Sequence, residues 1–260
     1  MSEVDIAELL HRIGLRASRE AIHALIAHAT KSRLGAGQLL EQLVHVEQRE
    51  RDARNLDRRV RNASLGTMKT LDKFDWNHPK EIDRSLYEYH HQSLEFLKQG
   101  ENVLFRGPAG SGKTTLAQNY GLRALECGYS VRFSTVSAAL ADLLQQESLP
   151  ATERRLKRYT TPSLLILDEL GYLPCDARAA DMFFHIISRR HEKRSVIITT
   201  NLSYKQWGSV FPGAACLTTI VDRFAQHCHS IDIDAESWRH HEAQERLLKK
   251  KSPPSKPRKS

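Results

Sequence analysis

A chain of 260 residues, 27% charged and 40% apolar, has the makeup of a globular body rather than a low-complexity or fibrous one, and it holds no apolar run long enough to span a bilayer. The four cysteines, Cys127, Cys175, Cys216 and Cys228, are scattered without a C-x-x-C pair, which excludes a disulfide framework and points to reduced thiols in a cytoplasmic protein. The net charge is +8, and seven basic residues with no acid fall in 246–260 (Arg246, Lys249, Lys250, Lys251, Lys256, Arg258, Lys259), so a near-neutral body carries a basic tail. With Pro253, Pro254 and Pro257 the tail is expected to be disordered, and it either holds DNA by counterion release or solubilises the chain. The first residues, Met1 to Asp5, are acidic and polar, unlike a secretory leader.

The chain opens with helical spacing. Ile6, Leu9, Leu10 and Ile13 predict a first helix that Gly14 ends. Ser18 is the candidate N-cap of a second, with Ala21, Ile22, Leu25, Ile26 and Ala29 on one side. After Gly35 and Gly37, a long third helix is predicted from about Gln38 to Ala63, with Leu39, Leu40, Leu43, Val46, Ala53, Leu56 and Val60 as its apolar side. Its later half holds Arg49, Arg51, Arg54, Arg58, Arg59 and Arg61 against Glu50, Asp52 and Asp57. Arg54, Arg58 and Arg61 share a face that can follow a phosphate backbone; a solvated face with i, i+4 ion pairs is the alternative. Residues 1–66 are therefore read as a small all-helical, DNA-binding domain.

A linker follows over 67–79, marked by Leu71-Asp72-Lys73-Phe74-Asp75-Trp76. A helix is predicted over Lys80 to Gln99, stopped by Gly100. Glu101 to Arg106 reads as a buried strand that runs into Gly107-Pro108-Ala109-Gly110-Ser111-Gly112-Lys113-Thr114, which fits G-x-x-x-x-G-K-[ST]. A helix to Cys127, with Gly128 after its end, completes the strand–loop–helix context. Glycines let consecutive N–H groups turn inward onto phosphate oxygens, and the helix dipole adds to that field. Lys113 is a point charge for the β- and γ-phosphates, the Thr114 hydroxyl a candidate Mg²⁺ ligand, and Thr115 the last candidate contact of the run.

Strands and helices then alternate. Val131–Val136 is a strand, Ser137–Gln146 a helix, and 153–159 is polar and basic. Leu164-Leu165-Ile166-Leu167-Asp168-Glu169 reads as a buried strand ending in two acids, the Walker B pattern. Ala179–His191 is a helix, Ser195–Asn201 a buried strand ending in an amide, 218–228 largely helical and 229–234 a last strand. His227-Cys228-His229 does not read as a metal site, because alternation sets the histidines and the cysteine on opposite faces. The alternation predicts an α/β fold over 80–245, a parallel sheet between helices, with the glycine loop, Asp168, Glu169 and Asn201 at the carboxyl ends of strands, where such sheets bind ligands. Asp168 would hold Mg²⁺, Glu169 orient the attacking water, and Asn201 bond the γ-phosphate or that water; a turn-forming asparagine is the plainer reading of the last.

One strand lies in sequence between the loop strand and the acid strand, and glutamate follows the aspartate. That order resembles the additional-strand, catalytic-glutamate division of P-loop ATPases, and Asn201 resembles sensor 1 of the AAA+ family. Val221-Asp222-Arg223-Phe224 looks like the box of an arginine finger, here Arg223. Glu236-Ser237-Trp238-Arg239 looks like the segment in which DnaC-type proteins carry a sensor-2-like arginine, here Arg239. Nearly the whole chain resembles the IstB-like proteins, helper ATPases of a bacterial insertion-sequence family and relatives of the DnaC helicase loader. The stretches that carry this are Glu50–Leu65, Leu71–Trp76, Gly100–Leu104, Gly128–Phe133, Ala179–Phe184 and Thr199–Leu202 with Trp207. Pro212-Gly213-Ala214-Ala215 lengthens the approach to the Arg223 box, and the tail 246–260 lies outside the shared pattern.

The resemblance implies an AAA+ domain that binds ATP and Mg²⁺ and homo-oligomers with ATP sites between subunits. It also implies binding of double-stranded DNA, a partner D,D-E transposase, and a Phe74–Trp76 linker near the adenine. Two other readings share the same core: a DnaC-like helicase loader acting through protein contacts, and a DNA-binding module that keeps ATP as structural glue.

Overall fold

The computed structural model describes residues 5–171 and 176–238. Packing divides the chain into two compact units, 1–61 and 62–260. The boundary falls short of the expected 66 because Ala63 and Leu65 are buried within the second unit, Leu65 against Gly121.

In the first unit, α1 (Ile6–Arg12) is capped by the Asp5 carboxylate, which accepts the Ala7 N–H at 3.0 Å. Gly14, at φ 97°, turns the chain, and Ser18 caps α2 (Arg19–Ser32). The long helix α3 (Ala36–Ala63) holds that turn from the side. Its buried Glu47 accepts the Arg16 and Ala17 N–H groups, both at 2.7 Å, and Glu50 accepts from the Ser18 N–H and hydroxyl. Ala7, Ala17 and Ile22 form a small core with Leu10, Ile26 and Val46.

The second unit opens with a 3₁₀ turn at Leu71–Lys73 and the short strand β1 (Glu81–Ile82). The helix expected over 80–99 is instead two, α4 (Arg84–Ser93) and α5 (Glu95–Gln99). The Asp83 side chain caps the first at Leu86 N, 2.8 Å, and Leu94 breaks the run with a left-handed φ of 49°. Next come β2 (Asn102–Arg106), α6 (Lys113–Glu126), β3 (Val131–Thr135) and α7 (Val136–Leu144). Gly128, at φ 91°, ends α6, with Tyr129 N donating to Ala124 O at 2.9 Å. The polar, basic segment around 153–159 belongs to α8 (Leu149–Thr160), which Ser148 caps and which buries Leu156 and Tyr159. Then follow β4 (Leu164–Leu170), α9 (Ala177–Arg190), β5 (Ser195–Thr200), α10 (Trp207–Val210), α11 (Leu217–Ala225) and β6 (Cys228–Asp234).

The described strands form one sheet in the order β1-β6-β2-β5-β4-β3, parallel except for β1. The strand between the loop and acid strands in sequence, β3, sits at the sheet edge. The one between them in space is β5, because α6 crosses over the sheet before delivering the chain to β3. Alternation divides the strand residues. Leu104, Leu165, Leu167, Val196 and Ile198 pack with α7, α8, α9 and α11, while Ile166 and Phe105 face Gly121 and Tyr120 of α6. The result is a parallel-dominated sheet with helices on both faces, the P-loop arrangement.

β6 begins at Cys228, so His227 lies outside the strand. His227 faces Glu192 at 3.9 Å and His229 meets Glu101 at 2.8 Å. Among the described residues no helix is long and apolar enough to cross a membrane. Arg239, the basic tail and Cys175 lie outside the described residues.

Candidate nucleotide site

The glycine loop is held by three neighbours, one at each glycine. A Cβ on Gly107 would stand 2.3 Å from the Ile233 carbonyl, one on Gly110 2.4 Å from Ser237 Oγ, and one on Gly112 2.6 Å from Phe74 Cε2. Gly110 and Gly112 also sit at φ 79° and 93°, where side chains are strained. The spacing of the motif is thus enforced by contacts as well as by backbone curl. Gly107 N donates to Thr200 O at 3.1 Å, tying the loop to the end of β5.

Two segments far apart in sequence close over the loop within the second unit. After β6, Trp238 N donates to Gly110 O at 3.1 Å. Before β1, His78 Nε2 donates to Glu236 O at 2.9 Å and packs edge-on against Trp238, ring centroids 4.7 Å apart. Between them lies a cavity of about 310 Å³, lined by loop residues Gly110–Thr115, by Trp238, and by Lys69, Lys73, Phe74, Asp75 and His78 of the linker. Phe74 therefore lines the cavity, whereas Trp76 packs on Tyr87 (5.3 Å) and beneath Arg84 (4.9 Å). The motif alone could not reveal Lys69, Lys73, His78 or Trp238. The aromatic punctuation of the linker hinted at the first three, and the Glu236–Arg239 segment at Trp238.

At the start of α6, Lys113 Nζ donates to Gly107 O (2.8 Å) and Pro108 O (2.7 Å). The amine thus lies across the loop's own carbonyls. Next to it the Thr114 hydroxyl contacts both carboxylate oxygens of Asp168, at 2.9 and 3.1 Å. Asp168 is only 4% exposed. A hydroxyl and a carboxylate side by side are the hard oxygen donors that suit Mg²⁺, so this pair fits the cation the motif implies.

The acid strand is irregular where it matters. The β4–β5 register shifts between Leu167 and Leu170, and within this bulge Glu169 takes a left-handed φ of 63°. A non-glycine residue there costs on the order of 1–3 kcal/mol. The bulge turns Glu169 out to solvent while Asp168 stays buried. The Thr199 hydroxyl spans the bulge, accepting the Glu169 N–H at 3.0 Å and donating to Asp168 Oδ1. Thr199 was not among the sequence candidates. It lies in β5 between Ile198 and Thr200, and nothing in the pattern says that its hydroxyl reaches the acids of β4.

The structure thus joins Gly107–Thr115 and Asp168 directly, with Glu169 turned out beside them. Asn201 is exposed immediately after β5, at the same carboxyl edge. Arg223 does not join them: it lies on α11, its guanidinium 5.4 Å from the Phe184 ring centroid, and it does not line the cavity.

The family model for IstB-like ATP binding proteins matches residues 8–246. An insertion sequence IS21 ATP-binding protein of Pseudomonas aeruginosa is 33% identical over 239 residues, covering 92% of this chain and 89% of its own length. Among solved structures, a DNA replication initiation factor superposes with a TM-score of 0.55 at 21% identity, over 71% of this chain and 56% of that one. A DnaC helicase loader does so with a TM-score of 0.51 at 18% identity, over 64% of this chain and 96% of that one. At such identities the structural likeness is one of fold.

Proposed function

The chain belongs to the IstB-like ATP-binding proteins, and from that membership we propose that it is a cytoplasmic helper of an insertion sequence that assembles on double-stranded DNA with ATP and engages a D,D-E transposase. As a P-loop ATPase of the AAA+ class it carries its own hydrolytic site. The observation that supports turnover is the bulge that keeps Asp168 on Thr114 and turns Glu169 outward.

In this reading the loop N–H groups and Lys113 bind the phosphates, Lys113 exchanging its two carbonyl partners for phosphate oxygens. Thr114 and Asp168 hold Mg²⁺, which when bound neutralises charge on the phosphates. Glu169 accepts a hydrogen bond from the attacking water and orients it, and Asn201 supports the γ-phosphate. Arg223, which lies on α11 outside its own chain's cavity, would act at a neighbouring subunit's nucleotide in a homo-oligomer. Arg239 would serve as a second nucleotide sensor. The arginine-dense half of α3 would bind DNA.

The test pairs two variants in sedimentation with a long DNA duplex. Lys113→Ala should fail to assemble with ATP, and Glu169→Gln should assemble and persist. Assembly of Lys113→Ala at wild-type affinity would sink the ATP-switch reading. A helicase-loader reading has one observation in its favour: Ile13, Leu40 and Val44 of the first unit are exposed, as a protein-contact surface would be. Salt-insensitive DNA binding together with co-purification of a replicative helicase would decide for it.

A further inference from the structure

The bulge sets two residues of β4, Asp168 and Glu169, opposite one residue of β5, Thr199, since the register steps from Leu167↔Ile198 to Leu170↔Thr200. A bulge leaves its extra residue without a ladder partner. Here a side chain replaces the missing partner. The Thr199 hydroxyl, buried to 1% exposure, accepts the Glu169 N–H at 3.0 Å. An amide can only donate, so the single hydroxyl proton is left for Asp168 Oδ1, the oxygen that also accepts from Thr114. One oxygen atom thereby sets both the orientation of the Asp168 carboxylate and the left-handed backbone that turns Glu169 outward. The adjacent Thr200 hydroxyl secures the far side of the bulge by donating to Leu170 O at 2.7 Å.

We propose that Thr199 is a positioning residue for hydrolysis, acting through Asp168 and Glu169 to fix the spacing between the metal-binding and the water-orienting carboxylates. This rests on the hydrolytic reading above. Thr199→Val keeps the shape and removes the hydroxyl, and Thr199→Ser keeps the hydroxyl.

The experiment uses the full chain, with ATP turnover measured beside binding of a fluorescent ATP analogue in Mg²⁺ and in EDTA. Thr199→Val should lower kcat by roughly 10- to 100-fold, the cost of a misplaced catalytic group, while affinity in EDTA stays within about threefold. The gain in affinity that Mg²⁺ brings should shrink in Thr199→Val and return in Thr199→Ser. Turnover of Thr199→Ser should lie within about threefold of wild type if the hydroxyl is what counts.

Wild-type kcat in Thr199→Val, or a Thr199→Ser variant as slow as Thr199→Val, would overturn the proposal. Should Thr199→Val not fold, amide exchange decides: a Glu169 N–H that exchanges as fast as an open surface amide in wild type overturns it equally. Absence of turnover in the wild type would defeat the hydrolytic reading. A hydrolysing wild type with an unaffected Thr199→Val would defeat this inference alone.

Discussion

Glu169 holds a backbone conformation that glycine would take with less strain. Glu169→Gly should therefore melt no lower than Glu169→Gln, with a difference of up to about 1 kcal/mol in its favour once glycine's greater unfolded-state entropy is counted. Both should lack turnover. Calorimetry beside a phosphate-release assay checks this, and a Glu169→Gly protein less stable than Glu169→Gln would contradict it. Gly112 is the opposite case, because glycine is already there and Phe74 Cε2 would lie 2.6 Å from an added Cβ. Gly112→Ala should weaken ATP binding by about tenfold or more, the order of loss that overpacking and left-handed strain of 1–3 kcal/mol produce. Phe74→Ala in the same chain should return part of that loss, and titration calorimetry on the four proteins of the cycle gives the coupling. The motif showed that Gly112 must be glycine. It did not show that an aromatic ring seventy-odd positions into the chain helps to make it so.

At the scale of elements, the arginine-dense half of α3 divides by what each side chain touches. Arg54 donates to Arg16 O at 2.7 Å and pairs with Glu50 at 3.4 Å, so it helps Glu47 and Glu50 hold the turn before α2. Arg61 pairs with Asp57 of its own helix at 3.0 Å, but both side chains are well exposed and water weakens the pair. Arg54→Ala should lower the stability of the first unit, whereas Arg61→Ala should leave melting unchanged and reduce the salt slope of DNA binding by about one. Equal effects on DNA affinity with no difference in melting would contradict the division.

Glu47 adds a pH dependence. Burial alone would raise its pKa, but the Arg16 and Ala17 N–H groups and Arg51 outweigh it, and the pKa lies below its ordinary 4.5. A carboxylate depressed by folding contributes stability that is full above about 4.5 and is lost as pH falls through the lowered value. Glu47→Gln should destabilise the first unit by about 1–3 kcal/mol near neutrality and flatten that acid limb in circular-dichroism melts. The apolar spacing made α1, α2 and α3 legible in advance. That Arg54 serves the fold was hidden, because periodicity gives the face of a helix and not what another segment brings to it.

For the whole molecule, the glycine-loop motif together with the alternation of strands and helices was enough to identify the P-loop class, and the carboxyl-end rule put the glycine loop, Asp168 and Asn201 at one edge. What it could not supply was spatial order: β5 between β2 and β4, and β3 at the edge, follow from where α6 delivers the chain. The resemblance drew the linker and the Glu236–Arg239 segment to the nucleotide, but the contact between His78 and Trp238, across 160 positions, was equally out of reach. Trp238→Ala should weaken ATP binding with little loss of sheet stability, read by equilibrium dialysis beside thermal melting. Unchanged affinity would mean that the ring adds nothing to the site beyond the backbone contact with Gly110, which the variant keeps.

That contact also bears on how the protein comes into being. β6 is an inner strand of the sheet, and Ile233, Ser237 and Trp238 all press on the phosphate loop. On the ribosome the loop emerges more than a hundred residues before the segments that brace it. A nascent chain that has already made Gly107–Thr114 therefore has no finished nucleotide site, and one that stops short of β6 never acquires it. In the assembly proposed above, prematurely ended translation products would lack the braced loop that ATP-dependent joining needs.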